Sequence, residues 1–404
     1  MRNVVFVAPF PLETTLRFLR ALGGLQGVRI LGVVHTPPDG PDRQLLQDVV
    51  HVENPLDVGD LGRAVETLVH RHGPLHRITG ILEPIQVQLA QLREHFRVPG
   101  PDARTSELFR DKARMKDMLR AHGLPCARHR LLRSWEDAQA FVEEVGFPIV
   151  LKPPAGMGCK ATWRIQTIDQ LREALQSVQP RPEDPTLAEE FLRGREFSFE
   201  TVTIGGQVRF HSLSHYLPPP LDVMENAWIQ WCVLLPRDIS GPEYEDAHRL
   251  GHAAVRVLGL DTGFTHMEWF RRHDGSLAIG EIAARPPGAN IVRLTGLAYD
   301  ADLYRAWARA VVDDAFDGPW ERRYATGCAF LRGPGRGRVV GLDGVKRAHE
   351  LVGRLVEEVK LPTLGTTKSD SYEGDGYVIV RHEDTEVVRR ALKTIIDTIR
   401  VHYA

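Results

Sequence analysis

Lysine is scarce in this chain, standing only at 112, 116, 152, 160, 346, 360, 368 and 393 among 51 basic residues; the rest are arginine. A codon bias explains the scarcity but not the spacing, since four of the eight lysines fall between 112 and 160 and none between 161 and 345. An ammonium group is wanted in that stretch. Cysteine is scarce as well, at 126, 159, 232 and 328 with no CxxC pair or metal-ligand spacing, which excludes a disulfide framework and fits a reducing compartment. No apolar run approaches the roughly 20 residues of a membrane span, and Met1 to Phe10 lacks the charged and apolar zones of a signal peptide. The expected location is the cytoplasm. Net charge is nearly absent too, at −2 from 51 Lys plus Arg against 53 Asp plus Glu, so no overall field draws the molecule to nucleic acid or to a membrane. What is present is an ordinary globular composition, 43% hydrophobic and 26% charged over 404 residues, enough for several cores.

The order of patterns predicts an α/β start followed by α+β material. Val4 to Val7 reads as a strand, Thr14 to Leu25 as an amphipathic helix, Ile30 to Val34 as a second strand and Leu61 to His72 as a second helix, which together imply a parallel sheet covered by helices. The first turn has no GxGxxG, so a dinucleotide fingerprint is missing. Pro99-Gly100-Pro101 ends this unit. A helix from Thr105 to His122 stops at Gly123 and Pro125, and a second runs from Ser134, its N-cap, to Val145. Ile149-Val150-Leu151 forms a strand ending on Lys152, and Thr167 with Gln170 opens a helix to Val178. Strands follow at 186–191, 196–204 and 207–212, the last two joined at Gly205-Gly206. Residues 214–240 read as a long loop, 242–258 as a helix, 264–283 as a hairpin and 300–312 as a helix. Short strands and helices at 344–359 and 385–400 make a small α+β lobe. The expected domains are 1–100, 101–183, 184–315 and 316–404.

Chemistry is legible first in the segment Met267 to Ile282. Asp274-Gly275 is a strong two-residue hairpin turn; with it as the loop, 273 pairs with 276, and counting outward sets Glu268 opposite Glu281. Opposed Cβ atoms lie about 4.5–5.5 Å apart, where like charges destabilise a sheet, so a cation is wanted between them. Mg²⁺ suits one or two carboxylates plus substrate phosphates. The bland alternatives are two solvated edge glutamates, or a one-residue bulge that sends them to opposite faces. On the same count Phe270 and Ile279 form the next rung. The second signal is Lys152 at the end of a buried strand, followed by Gly156 and Gly158: small residues let backbone N–H groups approach anionic oxygens while the ammonium adds a point charge. The spacing is not that of a P-loop, and an ordinary surface turn fits it as well.

Taken in order, Asp111-Lys112, Met115-Lys116, Gly123-Leu124-Pro125, Gly146 to Pro153, Glu189 to Ser198, Met267-Glu268 and Gly280 to Arg285 resemble the ATP-grasp superfamily, which includes D-alanine:D-alanine ligase, biotin carboxylase and the L-amino-acid ligases. The resemblance covers about residues 100–300. It implies an ATP-grasp fold with an N-terminal parallel-sheet, Rossmann-like lobe and a small C-terminal α+β lobe, and ATP with Mg²⁺, or Mn²⁺ in its place, as cofactors. Lys112 and Lys152 match the lysines on the ATP phosphates, and Gly156 and Gly158 the loop that closes over them. Glu189, Glu190 and Leu192 match the inter-lobe hinge, with Glu190 and Leu192 offering backbone groups to adenine. Glu196 matches the acid on the ribose hydroxyls, Glu268 and Glu281 the metal ligands, and Arg285 the catalytic arginine facing the transferred phosphoryl group.

The implied activity is an ATP-dependent carboxylate–amine ligase working through an acyl-phosphate, with small-molecule acid and amine as partners. An ATP-grasp carboxylase or formyl-phosphate enzyme of purine-biosynthesis type, or a non-catalytic nucleotide binder, are the alternatives. Ala283 stands where many members carry a metal-binding Asn, so a third ligand would come from Asn290 or water. The stretch 212–220 has no lysine, against carboxylation of biotin. Arg293 is a candidate grip for a substrate carboxylate, and related enzymes are frequently dimers, which allows a homodimer. Outside the motif set, His248 and His252 lie at i, i+4 without an HExxH glutamate, Cys159 reads as a small filler, and Gly333 to Arg338 reads as a basic turn.

Overall fold

The computed structural model describes residues 1–156, 158 and 161–404; Cys159 and Lys160 lie outside the described residues. The apolar run Val4 to Val7 is buried, as it must be in a parallel sheet covered on both faces. The strand Arg2–Val7 pairs in parallel with Val28–Val34 on one side and Arg77–Thr79 on the other, and Leu46–His51 extends the sheet beyond Val28–Val34. The helices Glu13–Gly23 and Val58–His72 bury apolar stripes, Phe18, Leu19 and Leu22 in one and Leu61, Val65 and Leu68 in the other.

The single helix expected over 105–122 is two, Ala103–Arg110 and Lys112–Ala121. Asp111 between them is extended, and its carboxylate accepts from the N–H groups of Ala113 at 2.9 Å and Arg114 at 3.1 Å. An aspartate able to cap a new helix competes with continuation of the old one. Lys112 therefore sits in the first turn of the second helix, with its own N–H on the Pro154 carbonyl at 3.0 Å.

A small antiparallel sheet follows in the order His129–Leu132, Thr186–Glu190, Ile149–Lys152, Trp163–Ile165. Its helices begin where the capping residues are: Ser134 Oγ accepts from Asp137 N, and Thr167 Oγ1 from Gln170 N, each at 3.3 Å.

The large sheet has eight strands in the order Leu277–Ala283, Gly263–Arg272, Gly194–Ile204, Gln207–Leu217, Cys232–Leu235, Ala325–Leu331, Gly376–His382, Val356–Lys360. The long loop expected over 214–240 is structured. Its first residues finish the strand Gln207–Leu217, a helix Pro220–Glu225 follows, and Cys232–Leu235 is an interior strand of the sheet, fully buried. A four-residue apolar run carries no periodicity to detect, yet it is what a strand covered on both faces needs. The helix expected over 300–312 starts at Leu303 behind the cap Asp302, and a further helix, Ile291–Tyr299, precedes it. The helix expected over 344–359 ends at Val352, before the edge strand Val356–Lys360. The C-terminal α+β lobe thus shares its sheet with the segment before it. No helix among the described residues is long and apolar enough to cross a membrane.

Candidate active site

Alternation along three neighbouring strands builds the floor of a cavity. Met267, Trp269, Phe197, Phe199 and Leu213 point to one face of the large sheet, where they pack beneath the helix Pro242–Leu258. Side chains of opposite parity, Glu196, Ser198 and Glu200, His266, Glu268 and Phe270, and Ser214 and Tyr216, therefore share the other face. Register aligns them: Glu268 pairs with Ser198, Phe270 with Glu196, His266 with Glu200, and Ser214 with Ser198. Above this polar floor lies a cavity of about 400 Å³ whose opposite wall includes Lys112, Val150, Lys152, Gly156 and Gly158, with Leu192 at the hinge.

Glu268 stands directly opposite Glu281, by a route other than the expected one. The hairpin loop holds three residues, 273–275: Arg272 N bonds to Ser276 O at 2.8 Å, and Gly275, at φ +85°, closes a turn onto Arg272 O at 3.0 Å. That longer loop alone would set Gly280 opposite Glu268. A bulge between the pairs Trp269–Ile279 and Glu268–Glu281 restores the match and keeps Glu281 on the cavity face. The rung expected of Phe270 and Ile279 does not form. Phe270 pairs with Ala278 and lines the cavity, while Ile279 pairs with Trp269 and lies in the core on the other face.

Charges around this pair are tightly matched. Lys112 Nζ lies 3.3 Å from Glu281 Oε2 and 2.8 Å from the Gly156 carbonyl; Lys152 Nζ lies 3.8 Å from Glu281 and 2.8 Å from Glu189 Oε2. Burial opposes ionisation of Glu281, but the ammonium groups of Lys112 and Lys152 hold its carboxyl down at about 2. For Glu196 the balance reverses: burial and the charges of Glu268 and Glu281 outweigh the pull of Lys152 and push its carboxyl well above the usual range. His266 is held between Glu200, 3.0 Å from Nδ1, and Glu268, 3.7 Å from Nε2, which against the cost of burial raises it to about 9.

The hinge residues Glu189, Glu190 and Leu192 all line the cavity. Glu189 points inward, and its two oxygens lie 2.8 Å from Lys116 Nζ and Lys152 Nζ. Despite burial, those two ammonium groups hold Glu189 at about 2. Lys116, fully buried, also donates to the Gly280 carbonyl at the bulge. Glu190 spends its N–H on Arg128 O at 2.9 Å and its carboxylate on Arg128 and Arg272, each at 3.0 Å, so that N–H is not available to a ligand. Arg285 lines the cavity with its Nε and one Nη at 2.8 and 2.7 Å from Glu83, a buried carboxylate of the N-terminal lobe. The other oxygen of Glu83 takes Arg110 at 3.1 Å, and Arg110 in turn grips the carbonyls of Ala155 and Gly156.

Glu83, Arg110, His266 and Tyr216 were not singled out from sequence; for His266 and Tyr216 the available signal was polar residues at i, i+2 on otherwise buried strands. Two candidates leave the site. Arg293 pairs with Glu358 at 2.9 Å, away from the cavity, and Asn290 is not among the residues lining the cavity, its amide N–H donating to Cys328 Sγ at 3.8 Å. His248 and His252 gather with His211 on the far side of the large sheet, His252 Nε2 being 3.2 Å from His211 Nδ1. Gly333 to Arg338 forms a turn whose Gly333 and Gly335 carbonyls accept from Lys368.

Among the described residues no group of three or more His, Cys, Asp or Glu is arranged to hold a metal. The opposed pair Glu268 and Glu281 nevertheless fits Mg²⁺, which fills its shell with one or two carboxylates, waters and substrate phosphates.

Comparison with known proteins agrees with this geometry. The family model described as the ATP-grasp domain matches residues 117–297. An L-arginine-specific L-amino acid ligase of Bacillus subtilis is 28% identical over 263 residues, 63% of this chain and 63% of its own, so the match spans less than two thirds of that relative. The crystal structure of an L-amino acid ligase from Bacillus licheniformis superposes with a TM-score of 0.82 at 18% identity, covering 100% of this chain and 99% of that one. The biotin carboxylase domain dimer of a 2-oxoglutarate carboxylase from Hydrogenobacter thermophilus, solved with magnesium ADP, ADP and bicarbonate, superposes at 0.68 with 17% identity over 99% of this chain and 90% of that chain. These structural likenesses show the fold.

Proposed function

We propose, from the premise that this chain carries an ATP-grasp domain, that it is an ATP-dependent carboxylate–amine ligase that forms an amide or peptide bond and releases ADP and phosphate. The observation that carries the reading is the opposed pair Glu268 and Glu281, flanked by Lys112 and Lys152 and faced by Arg285 across one cavity. Phosphoryl transfer asks the protein for positioning and charge neutralisation, and those are what these residues supply. A substrate carboxylate oxygen attacks the γ-phosphorus, the bond to the bridging oxygen breaks, and ADP leaves. The amine nitrogen then attacks the acyl carbon, the bond to the phosphoryl oxygen breaks, phosphate leaves, and the nitrogen gives up a proton.

Lys112 and Lys152 neutralise the phosphates, Glu196 holds the ribose hydroxyls, and Leu192, Val150 and Phe270 surround the adenine. Arg285, oriented by Glu83, faces the transferred group and the acyl-phosphate. A divalent ion held by Glu268 and Glu281 would supply charge neutralisation at the phosphoryl oxygens. An acyl-phosphate hydrolyses readily, so water must be kept out; Gly156 and Gly158 supply the closing loop, which Arg110 and Lys112 already grip.

The test is release of ADP and phosphate from ATP and Mg²⁺ over a panel of carboxylic acids crossed with amines, with products weighed by mass spectrometry and Glu281→Gln as control. Release that requires both an acid and an amine, lost at least 10²-fold in the variant, is the expected result. Release with bicarbonate and no organic acid would replace this reading by a carboxylase, and no stimulated release by any combination would leave a nucleotide binder.

A further inference from the structure

The end of the cavity beyond Arg285 is the open edge of an apolar core. Tyr216, Ala289 and Ile291 belong to the buried cluster around Trp231 and Phe330, and the same three side chains line the cavity. Tyr372, from a loop of the C-terminal lobe, packs against that cluster and lines the cavity beside Tyr216 and Arg285. Trp231 is the common backing: its ring lies 5.1 Å from that of Tyr216 and 4.7 Å from that of Tyr372, both edge-on, and stacks on Phe330 at 5.1 Å. Its one polar atom, Nε1, is spent on the Pro218 carbonyl at 2.9 Å, so it presents only ring to its neighbours. Pro219, Pro220 and Leu221 complete the wall.

The charges bordering this end are already matched to one another. Arg285 is held by Glu83, His266 by Glu200 at 3.0 Å and by the Tyr216 hydroxyl at 3.3 Å, and Asp222 by Arg164 at 2.5 Å, with Glu225 on the same guanidinium at 3.2 Å. Glu373 is the exception to ion pairing: it accepts from the Ala289 N–H, and burial pushes its carboxyl above the usual range, toward the neutral form. A charged substrate side chain placed here would lose its hydration without gaining an unmatched counter-ion, whereas an apolar one gains by leaving water.

We propose that the carboxylic acid activated at this site bears an apolar or aromatic side chain, seated between Tyr216, Tyr372 and Ile291 with its reacting carboxylate toward Arg285 and Glu268. The inference rests on the ligase reading above and deepens it. It also departs from the arginine named for the Bacillus subtilis relative, whose side chain is a cation. Tyr372 acts as a specificity residue and touches neither nucleotide nor metal.

The decisive experiment measures kcat/KM for the acid, at saturating ATP and a fixed amine, for phenylalanine, leucine and methionine against arginine, lysine and aspartate. A preference of at least 10-fold for the apolar set is expected, the range that a pocket of this kind can enforce. In Tyr372→Ala the KM for the apolar acid rises about 10-fold while the KM for ATP stays unchanged, and Tyr372→Phe restores it. Turnover of a charged acid as efficient as that of the apolar set overturns the proposal and leaves the ligase reading intact; turnover with no acid at all overturns both. Should Tyr372→Ala fail to fold, the wild-type panel still decides.

Discussion

Lys116 is the residue whose importance is least visible from its own position in the chain. It follows Lys112 by one helical turn, which places both on one face of Lys112–Ala121, and the clustering of lysines between 112 and 160 together with the Met115-Lys116 motif gave it no role of its own. In the fold it is fully buried, 2.8 Å from Glu189 and bonded to the Gly280 carbonyl. It joins the carboxylate that anchors Lys152 to the bulge that aims Glu281. Burial draws its ammonium below the ordinary lysine range against the pull of Glu189, so the charge is held by that partner. Lys116→Met is expected to cost about 3 kcal/mol, the low end for breaking a buried pair because Glu189 keeps Lys152, as measured by urea denaturation. Glu189→Gln leaves two buried ammonium groups facing an amide and is expected to cost more. Motif matching found Lys112, Lys152, Glu268, Glu281 and Arg285, all of which line or border one cavity. It gave Lys116 no role and missed Glu83, because a residue that positions another is identified by its partner, and the partner lies 73 residues away in one case (189 − 116) and 202 in the other.

At the scale of elements, the hairpin Gly263–Arg272 with Leu277–Ala283 shows how a right pairing was reached through two wrong steps. Asp274-Gly275 predicts a two-residue loop, whereas the chain makes a three-residue one in which Asp274 Oδ1 accepts from Ser276 N at 3.0 Å and Gly275 takes the left-handed conformation. The extra loop residue and the bulge at Gly280 offset each other for Glu268 and Glu281, but not for the rung beyond, so Ile279 was misassigned. A glycine inside a strand is a signal for a bulge, and Gly280 was that signal. A Cβ there would lie 3.2 Å from Phe270 Cε2 and 3.3 Å from the Glu268 carbonyl. The ring can swing; the carbonyl cannot. Gly280→Ala is therefore expected to displace Phe270, raising the KM for ATP several-fold while thermal stability changes by about 1 kcal/mol or less; an unchanged KM would show that Phe270 does not wall the nucleotide. Strongly patterned elements such as the helix Pro242–Leu258 were legible because an amphipathic stripe needs only local sequence. Cys232–Leu235 was not, since four apolar residues become a strand only when neighbours from 216 and 328 arrive to pair with them.

Across the whole molecule, two carboxylates fasten the lobes, Glu83 buried and Glu358 half-buried. Glu83 reaches from the N-terminal lobe to Arg285 and Arg110, and so couples that lobe to the cavity wall and to the glycine loop. On the other side, Glu358 of the edge strand Val356–Lys360 accepts from Arg17 of the first helix at 2.8 Å, from Arg293 of Ile291–Tyr299 at 2.9 Å and from the Tyr377 hydroxyl at 2.7 Å. Arg293 was expected at the substrate from its place just after the catalytic-arginine motif; its true partner comes from a strand 65 residues on, which no local pattern announces. Burial resists ionisation of Glu358, yet Tyr377, Arg17 and Arg293 hold its carboxyl at about 2, against an ordinary 4.5. A carboxyl lowered on folding contributes stability that is complete above its unfolded value and is lost as pH falls through the folded one. The wild type should therefore exceed Glu358→Gln in melting temperature by a constant margin from pH 7 to about 5, and that margin should narrow steadily as pH drops toward 3. A margin that stays flat over the lower range would mean that Glu358 holds the lobes by shape and neutral hydrogen bonds alone. A margin that widens would mean that its carboxyl is raised, not lowered, by the three lobes that meet on it.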